Sequence, residues 1–359
     1  MKRRLRTLVA DGVAATGALH FLRRRQRRSL VVLCYHRVLP ADLRAAFFVP
    51  DLAVTPSAFD EHVAFVARYY QCLPLREAMA LLRAGGSQQR PLLSITFDDG
   101  YWDNHAHARP ILNRHGVRAT FFVVSSLIGT PSSTWYDALA RALQRLGTTA
   151  SASLASPAPL DDAPGRWIAE HVRHGQRLNV AAVVRAAKAL SPPVRAAVLE
   201  RVTAAAGQPA PRDATADRLM NADEVRALAA DGHEIGSHTR THPILTQLRG
   251  DALTDELSGS RDDLAALTGA PPESLAYPNG DFDDATLDAT RGAGYRCAVT
   301  TLPGLNSSRT DSLTLRRVFI SQDRLARANG RCATSLLELE LTGVADRVFL
   351  RRQRLGISS

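Results

Sequence analysis

Short apolar runs alternating with helical periodicity constrain this chain more tightly than any other feature. Residues 30–34, 92–97, 119–124, 297–301 and 317–320 are rich in aliphatic and aromatic side chains, and 233–237 resembles a short strand. A run that is apolar at nearly every position, rather than at every second one, is a strand buried on both faces. Helical patterns lie between these runs, which predicts parallel strands joined by crossover helices.

The helices announce their own ends. Ser57 and Asp60 read as a capping pair before Phe59, Val63 and Val66, and a second helix is expected over residues 76–83. Asn221 and Glu224 form another pair ahead of Val225 and Leu228, with Gly232 closing that helix. Residues 251–268 carry Leu253, Leu257, Leu264 and Leu267 on one side, and Asp283 or Asp284 caps a helix that runs to Gly294. The rhythm breaks between residues 131 and 217. That stretch is rich in Ala, Ser, Pro and Arg with helical patches, so it is expected to be a helical insertion.

Of the 359 residues, 45% are hydrophobic and 22% charged, values that allow a sizeable core. The net charge of +10 is concentrated at the ends, in a basic segment over residues 1–28 and a basic extension over 326–359. The N-terminal apolar stretch is interrupted by Asp11 and His20 and followed by Arg23, Arg24, Arg25, Arg27 and Arg28, so it is expected to be uncleaved. Two readings stay open for it: a solvated basic tail, or a helix with Leu5, Leu8, Val9 and Val13 on one side lying on an anionic membrane. Basic residues are not interleaved with aromatics, which argues against a nucleic-acid partner. Cys34, Cys72, Cys297 and Cys332 show no paired spacing and read as free thiols. The expected place is the cytoplasm, peripheral at the inner membrane face.

Two motifs carry chemistry. Thr96-Phe97-Asp98-Asp99-Gly100 ends an apolar strand in two adjacent carboxylates, either a helix cap or a pair that a cation holds together. His238-Thr239-Arg240-Thr241-His242 follows another short strand, and two imidazoles four residues apart can reach one ion. Each alone is weak. Jointly, two imidazoles and one carboxylate form a three-ligand set that leaves room for water, as catalytic metal sites do.

These strings, with Gly232-His233-Glu234-Ile235-Gly236-Ser237, Cys34-Tyr35-His36-Arg37-Val38 and Ala276-Tyr277-Pro278-Asn279-Gly280, resemble the polysaccharide deacetylase superfamily (NodB homology, carbohydrate esterase family 4). The resemblance covers roughly residues 30–130 and 218–322, and the domain is expected over 29–130 and 218–325. It implies a distorted (β/α)7-type barrel with the insertion over its mouth. It also implies a hydrolase that removes N-acetyl groups from amino sugars in a poly- or oligosaccharide or a lipid-linked glycan. The cofactor would be a divalent metal, Zn²⁺ before Co²⁺, Ni²⁺ or Mn²⁺. Other readings are removal of a different acyl group, such as formyl, from a lipid-linked or nucleotide sugar, or a degenerate glycan binder.

By the same resemblance Asp98 is the general base, Asp99, His238 and His242 hold the metal, and Asn279 lends an oxyanion N–H. Tyr277 and Pro278 form a wall of the sugar groove. The chain departs from the family pattern in two places. A late Leu-x-His is replaced by Leu315-Arg316-Arg317, and no histidine follows His242. The expected acid is therefore His36, as in the branch with Tyr-His on its opening strand. An arginine that orients the base is replaced by Ala276; Arg317 is the candidate to reach Asp98 in its place or to meet substrate, with a plain surface or salt-bridge arginine as the other reading.

Overall fold

The computed structural model describes residues 2–86, 88–148, 162–171, 178–207 and 218–343. Seven strands form the frame: β1 (Ser29–Tyr35), β2 (Leu92–Phe97), β3 (Thr120–Val123), β4 (Glu234–Ser237), β5 (Ser274–Ala276), β6 (Cys297–Pro303) and β7 (Leu315–Phe319). Each is parallel to its neighbours, in the order β1-β7-β6-β5-β4-β3-β2, and β2 pairs again with β1 from Leu30↔Leu92 to Tyr35↔Phe97. The sheet is thus a closed seven-stranded barrel. Closure explains the sequence pattern, because every residue of β2 is buried on the lumen or under a helix.

The helices used below are α1 (Lys2–Ala15), α2 (Ala18–Arg25), α3 (Pro56–Tyr69), α4 (Leu75–Ala84), α5 (Trp135–Thr148), α6 (Val180–Ala187), α7 (Pro192–Ala206), α8 (Ala222–Ala230), α9 (Ser260–Thr268), α10 (Asp284–Gly292) and α11 (Thr334–Leu341). Leu75, Ala78, Met79 and Leu82 of α4 cluster with Leu30, Leu92, Cys297 and Leu315 at the starts of their strands. This apolar plug seals the N-terminal end of the barrel. Outside it, Tyr35, Phe97 and Phe121 stack in series with ring centroids 5.6 and 4.9 Å apart, against Phe59 of α3. Each such buried ring contributes on the order of 2–3 kcal/mol. With one end sealed, chemistry is left to the C-terminal mouth.

The insertion stands on two stems pinned side by side. Gly129 N–H donates to Met220 O (3.0 Å), Met220 N–H to Gly100 O (2.9 Å) and Trp102 N–H to Arg218 O (3.0 Å). Its helices α5, α6 and α7, with Ala163–His171, enclose a core of their own around Leu139, Leu143, Ile168, Val184, Val198 and Val202.

Several expectations are corrected in detail. The cap of α3 is Thr55, whose side chain accepts from Ala58 N–H, because Pro56 occupies the first helical position; Asp60 instead meets Arg114 and His115. Asp283, not Asp284, caps α10. The helix expected over residues 251–268 is interrupted by a π-turn over Asp255–Gly259 before α9 begins. The N-terminal segment is not a free tail. Ala10 is buried, Arg327 and Ser335 bind the Asp11 carboxylate, and Arg23 pairs with Glu338 on α11. The arginines at 347, 351, 352 and 354 lie outside the described residues.

Candidate active site

The working residues leave the barrel wall at its C-terminal mouth: His36 after β1, Asp98 and Asp99 after β2, His238 after β4, Tyr277 after β5, with Arg317 on β7. His238 to His242 is a tight loop, not a helix. Among the described residues four non-glycine positions have a left-handed backbone: Asp99 (φ 72°), Thr239 (64°), His242 (64°) and Asn279 (61°). All four belong to this mouth. Such conformations cost about 1–2 kcal/mol each and persist where surroundings over-determine them. The loop after β4 shows how: Glu256 accepts from Arg240 N–H and Thr241 N–H, both at 2.9 Å, and from the Thr241 hydroxyl. Gly280 answers a second constraint, since a Cβ there would lie 2.5 Å from Thr301 N.

Asp99 Oδ1 lies 3.3 Å from His238 Nε2 and 3.4 Å from His242 Nε2, and all three side chains are buried. Ligands about 2.0–2.1 Å from one tetrahedral ion stand roughly 3.3–3.4 Å apart, so the three residues fit a divalent metal. The second ring nitrogens agree. His238 Nδ1 is 2.8 Å from Ala276 O, so it carries the proton and Nε2 keeps its lone pair. Burial and the nearby His238 push His242 down to about 3, which leaves its ring neutral and able to ligate. Burial raises the Asp99 carboxyl, yet its contact with the His238 ring and the imidazoles of His36 and His242 nearby hold it below the usual range.

Asp98 sits beside this triad and is held by Arg317, whose Nη1 and Nη2 each donate at 2.7 Å. Burial would raise the Asp98 carboxyl; the Arg317 charge and its hydrogen bonds outweigh that and keep it ionised. Arg317 is itself buried, and its Nε donates to Thr300 O at 2.8 Å, so its donors serve Asp98 and the barrel wall. His36 Nε2 is 4.0 Å from Asp98 Oδ2. Burial lowers its pKa against the pull of the two carboxylates.

A cavity of about 420 Å³ opens over these groups. Tyr277 and Asn279 line it, but the Tyr277 ring is stacked on Phe282 and almost wholly buried; Pro278 is buried too and is not part of the lining. The opposite wall comes from the insertion and its approach. Tyr136 stands edge-on to His242 with centroids 5.0 Å apart, and Val184, Arg185 and Lys188 come from the end of α6. Lys188 and Glu256 were not visible as site residues from the sequence. Lys188 meets Asn279 across 91 positions, and no local pattern marks such a contact.

Comparison with known proteins supplies the relationship. YxkH of Bacillus subtilis (strain 168), assigned by name to the polysaccharide deacetylases, is 21% identical over 308 residues, covering 86% of this chain and 77% of that one. Two solved structures share the fold. The Streptococcus pyogenes deacetylase PplD has 19% identity and a TM-score of 0.55, covering 86% of this chain and 97% of its own; IcaB from Ammonifex degensii has 16%, 0.54, 88% and 97%. The sequence model of the polysaccharide deacetylase family matches residues 85–298, from just before β2 into β6 and through both chemical motifs. With more than half of its length captured by that one model, the chain belongs to the polysaccharide deacetylase family, hydrolases that cleave an amide carbon–nitrogen bond.

Proposed function

We propose that this chain is a metal-dependent deacetylase that hydrolyses the N-acetyl group of an amino sugar within a poly- or oligosaccharide or a lipid-linked glycan. One observation carries the reading: two imidazole Nε2 atoms and a carboxylate oxygen converge at 3.3–3.4 Å while a second, ionised carboxylate stands beside them. A divalent ion held by Asp99, His238 and His242, Zn²⁺ by its donor set, would polarise the amide carbonyl and bring a water into reach of a base. Asp98 takes the proton of the attacking water, and Arg317 fixes both of its oxygens for that task. In this reading the backbone N–H of Asn279, the counterpart of the family's oxyanion donor, would stabilise the oxygen that becomes negative. His36, 4.0 Å from Asp98, is the acid of this reading and would protonate the departing amine, since no histidine follows His242.

The test separates base from ligand. Asp98→Asn should retain one equivalent of Zn²⁺ by elemental analysis and lose about 10²–10⁴-fold in acetate release from acetylated glucosamine oligomers. Asp99→Ala should lose the metal. Normal turnover by the Asp98→Asn protein removes Asp98 as base, and formate released in place of acetate from matched acyl sugars replaces the acetyl reading.

The same reading includes a peripheral place on an anionic membrane. On α1, Leu8 and Val9 are 68% and 57% exposed, and on α2 Phe21 is 58% exposed with Arg25 stacked 4.9 Å from its ring. Among the described residues no helix is long and apolar enough to cross a bilayer. Apolar side chains set among arginines favour shallow seating on acidic lipid. Co-sedimentation with phosphatidylglycerol vesicles should fall several-fold in Leu8→Glu/Phe21→Glu. Equal binding of wild type to neutral and anionic vesicles would count against it.

A further inference from the structure

We infer that the cavity is built for an acylated amino sugar that also carries an oxyanion, a phosphate ester or a carboxylate, and that Lys188 and Arg185 of the insertion receive that group. The inference rests on the reading that this cavity holds the sugar.

The charge inventory of the lining is the first observation. The cavity exposes two carboxylates, Asp98 and Asp99, and three cationic side chains, Arg317, Lys188 and Arg185. Asp98 and Arg317 satisfy each other in a two-pronged pair. Asp99 faces the two imidazoles and belongs to the ligand set. Lys188 and Arg185 are therefore cations in excess, and a bound divalent ion would widen the imbalance. A neutral sugar has nothing to set against them.

The placement of Lys188 is the second. It ends α6, and its backbone carbonyl accepts from Gln247 Nε2 at 3.0 Å, while Gln247 Oε1 accepts from Arg195 at 2.9 Å. Those bonds already tie the insertion to the barrel, so the ammonium is not needed as a tether. Its Nζ instead points into the mouth and donates to the Asn279 side-chain oxygen, a neutral partner whose own Nδ2 donates to Asp281. Among the described residues neither Lys188 nor Arg185 forms an ion pair with a carboxylate. Burial of the ammonium pushes its pKa down, and Asp281 and Asp99 only partly restore it. A half-buried cation held on a neutral amide is costly alone and favourable once an anion arrives, because charge-assisted hydrogen bonds gain strength where water is scarce.

The third observation is the site's enclosure. Phe48, Trp135, Val184, Ile244 and Phe319 supply apolar walls beside Lys188 and the charged groups of the barrel, while Arg185 stands exposed at the rim. Such walls exclude water and strengthen whatever ionic contact forms inside. The ligand they fit is compact, with an acyl group at the Asp99 end and an oxyanion near Asn279. Lys188 and Arg185 are thus specificity residues, acting on which sugar is accepted.

The experiment measures binding and turnover separately on the full-length, Zn²⁺-loaded protein. Calorimetry compares N-acetylglucosamine 1-phosphate, N-acetylmuramic acid and uncharged N-acetylglucosamine. At least one anionic probe should bind about ten-fold or more tightly than the neutral one, and which one does so identifies phosphate or carboxylate. In Lys188→Met/Arg185→Met, checked for an unchanged melting temperature, the probes should converge to within about two-fold; Lys188→Arg should restore most of the preference. Equal binding by the wild type overturns the inference. So does a preference that survives in the double variant, since the anion would then sit on the metal alone. Acetate release from the same probes keeps the two readings apart: preference without release sinks the deacetylase assignment only, and release without preference sinks the role given to Lys188.

Discussion

At the scale of single residues, the site is one where electrostatics is settled by a partner far away in sequence. Asp98 is a buried carboxylate that stays ionised because Arg317 meets it from β7, across 219 positions. Removing that cation has a predictable sign. The Asp98 pKa would rise, its base form would be depleted at low pH, and the acid limb of the kcat/KM profile would move to higher pH. Arg317→Met should shift that limb by at least one pH unit and lower the plateau about 10–100-fold, while Arg317→Lys, keeping charge but losing the two-pronged grip, should shift it less. An unmoved limb in Arg317→Met would mean that Asp98 does not govern it. The sequence allowed Arg317 as a substitute for the arginine missing at Ala276, because both the absence and the nearby candidate could be read from the strings. It left open whether Arg317 reached the base, met the substrate or was a plain surface or salt-bridge arginine. Only the barrel, bringing β7 beside β1, decides that.

At the scale of elements, legibility followed length and burial. The run over β2 was readable to the residue because all six positions are buried. β5 went unread as a strand: three residues, Ser274 to Ala276, are too few to show a period. The wrong cap on α3 had a local cause, since Ser57 and Asp60 fit the pattern but Pro56 at the first helical position moves the cap two residues earlier, to Thr55. The loop of the histidine pair depends on Glu256, whose carboxylate accepts from two of the loop's backbone N–H groups although it lies 15 and 16 residues further along the chain. No spacing rule reveals such a support. Glu256→Ala should free the loop, relax the strain at Thr239 and His242, and weaken Zn²⁺ binding about 10–100-fold by competition with a chromogenic chelator. Unchanged affinity would show that the loop holds its shape unaided.

At the scale of the whole molecule, buried neutral histidines tie stability to pH. His62, on the buried face of α3, is 1% exposed, bonds the Tyr35 hydroxyl at 3.2 Å, and is pushed down to about 4 by burial; His233 is likewise pushed down to about 4. In the unfolded chain each titrates near 6.5. The unfolded state therefore takes up protons first, so this stability is whole above about pH 6.5 and drains as pH falls toward 4, by up to about 1.4 kcal/mol per pH unit for each ring. The melting temperature should drop between pH 7 and 4.5, and His62→Leu should flatten that drop; an identical slope would clear His62 of any part in it.

The pinned stems of the insertion carry a last consequence. Because residues 129 and 220 are hydrogen-bonded neighbours, the chain path through β3 and β4 does not depend on how much polypeptide lies between them. Loop entropy grows only slowly with added length, so inserts of different size can be carried at nearly the same stability. Ligand choice and hydrolytic chemistry are thereby written in separable stretches of the gene, and the first can drift while the second is kept.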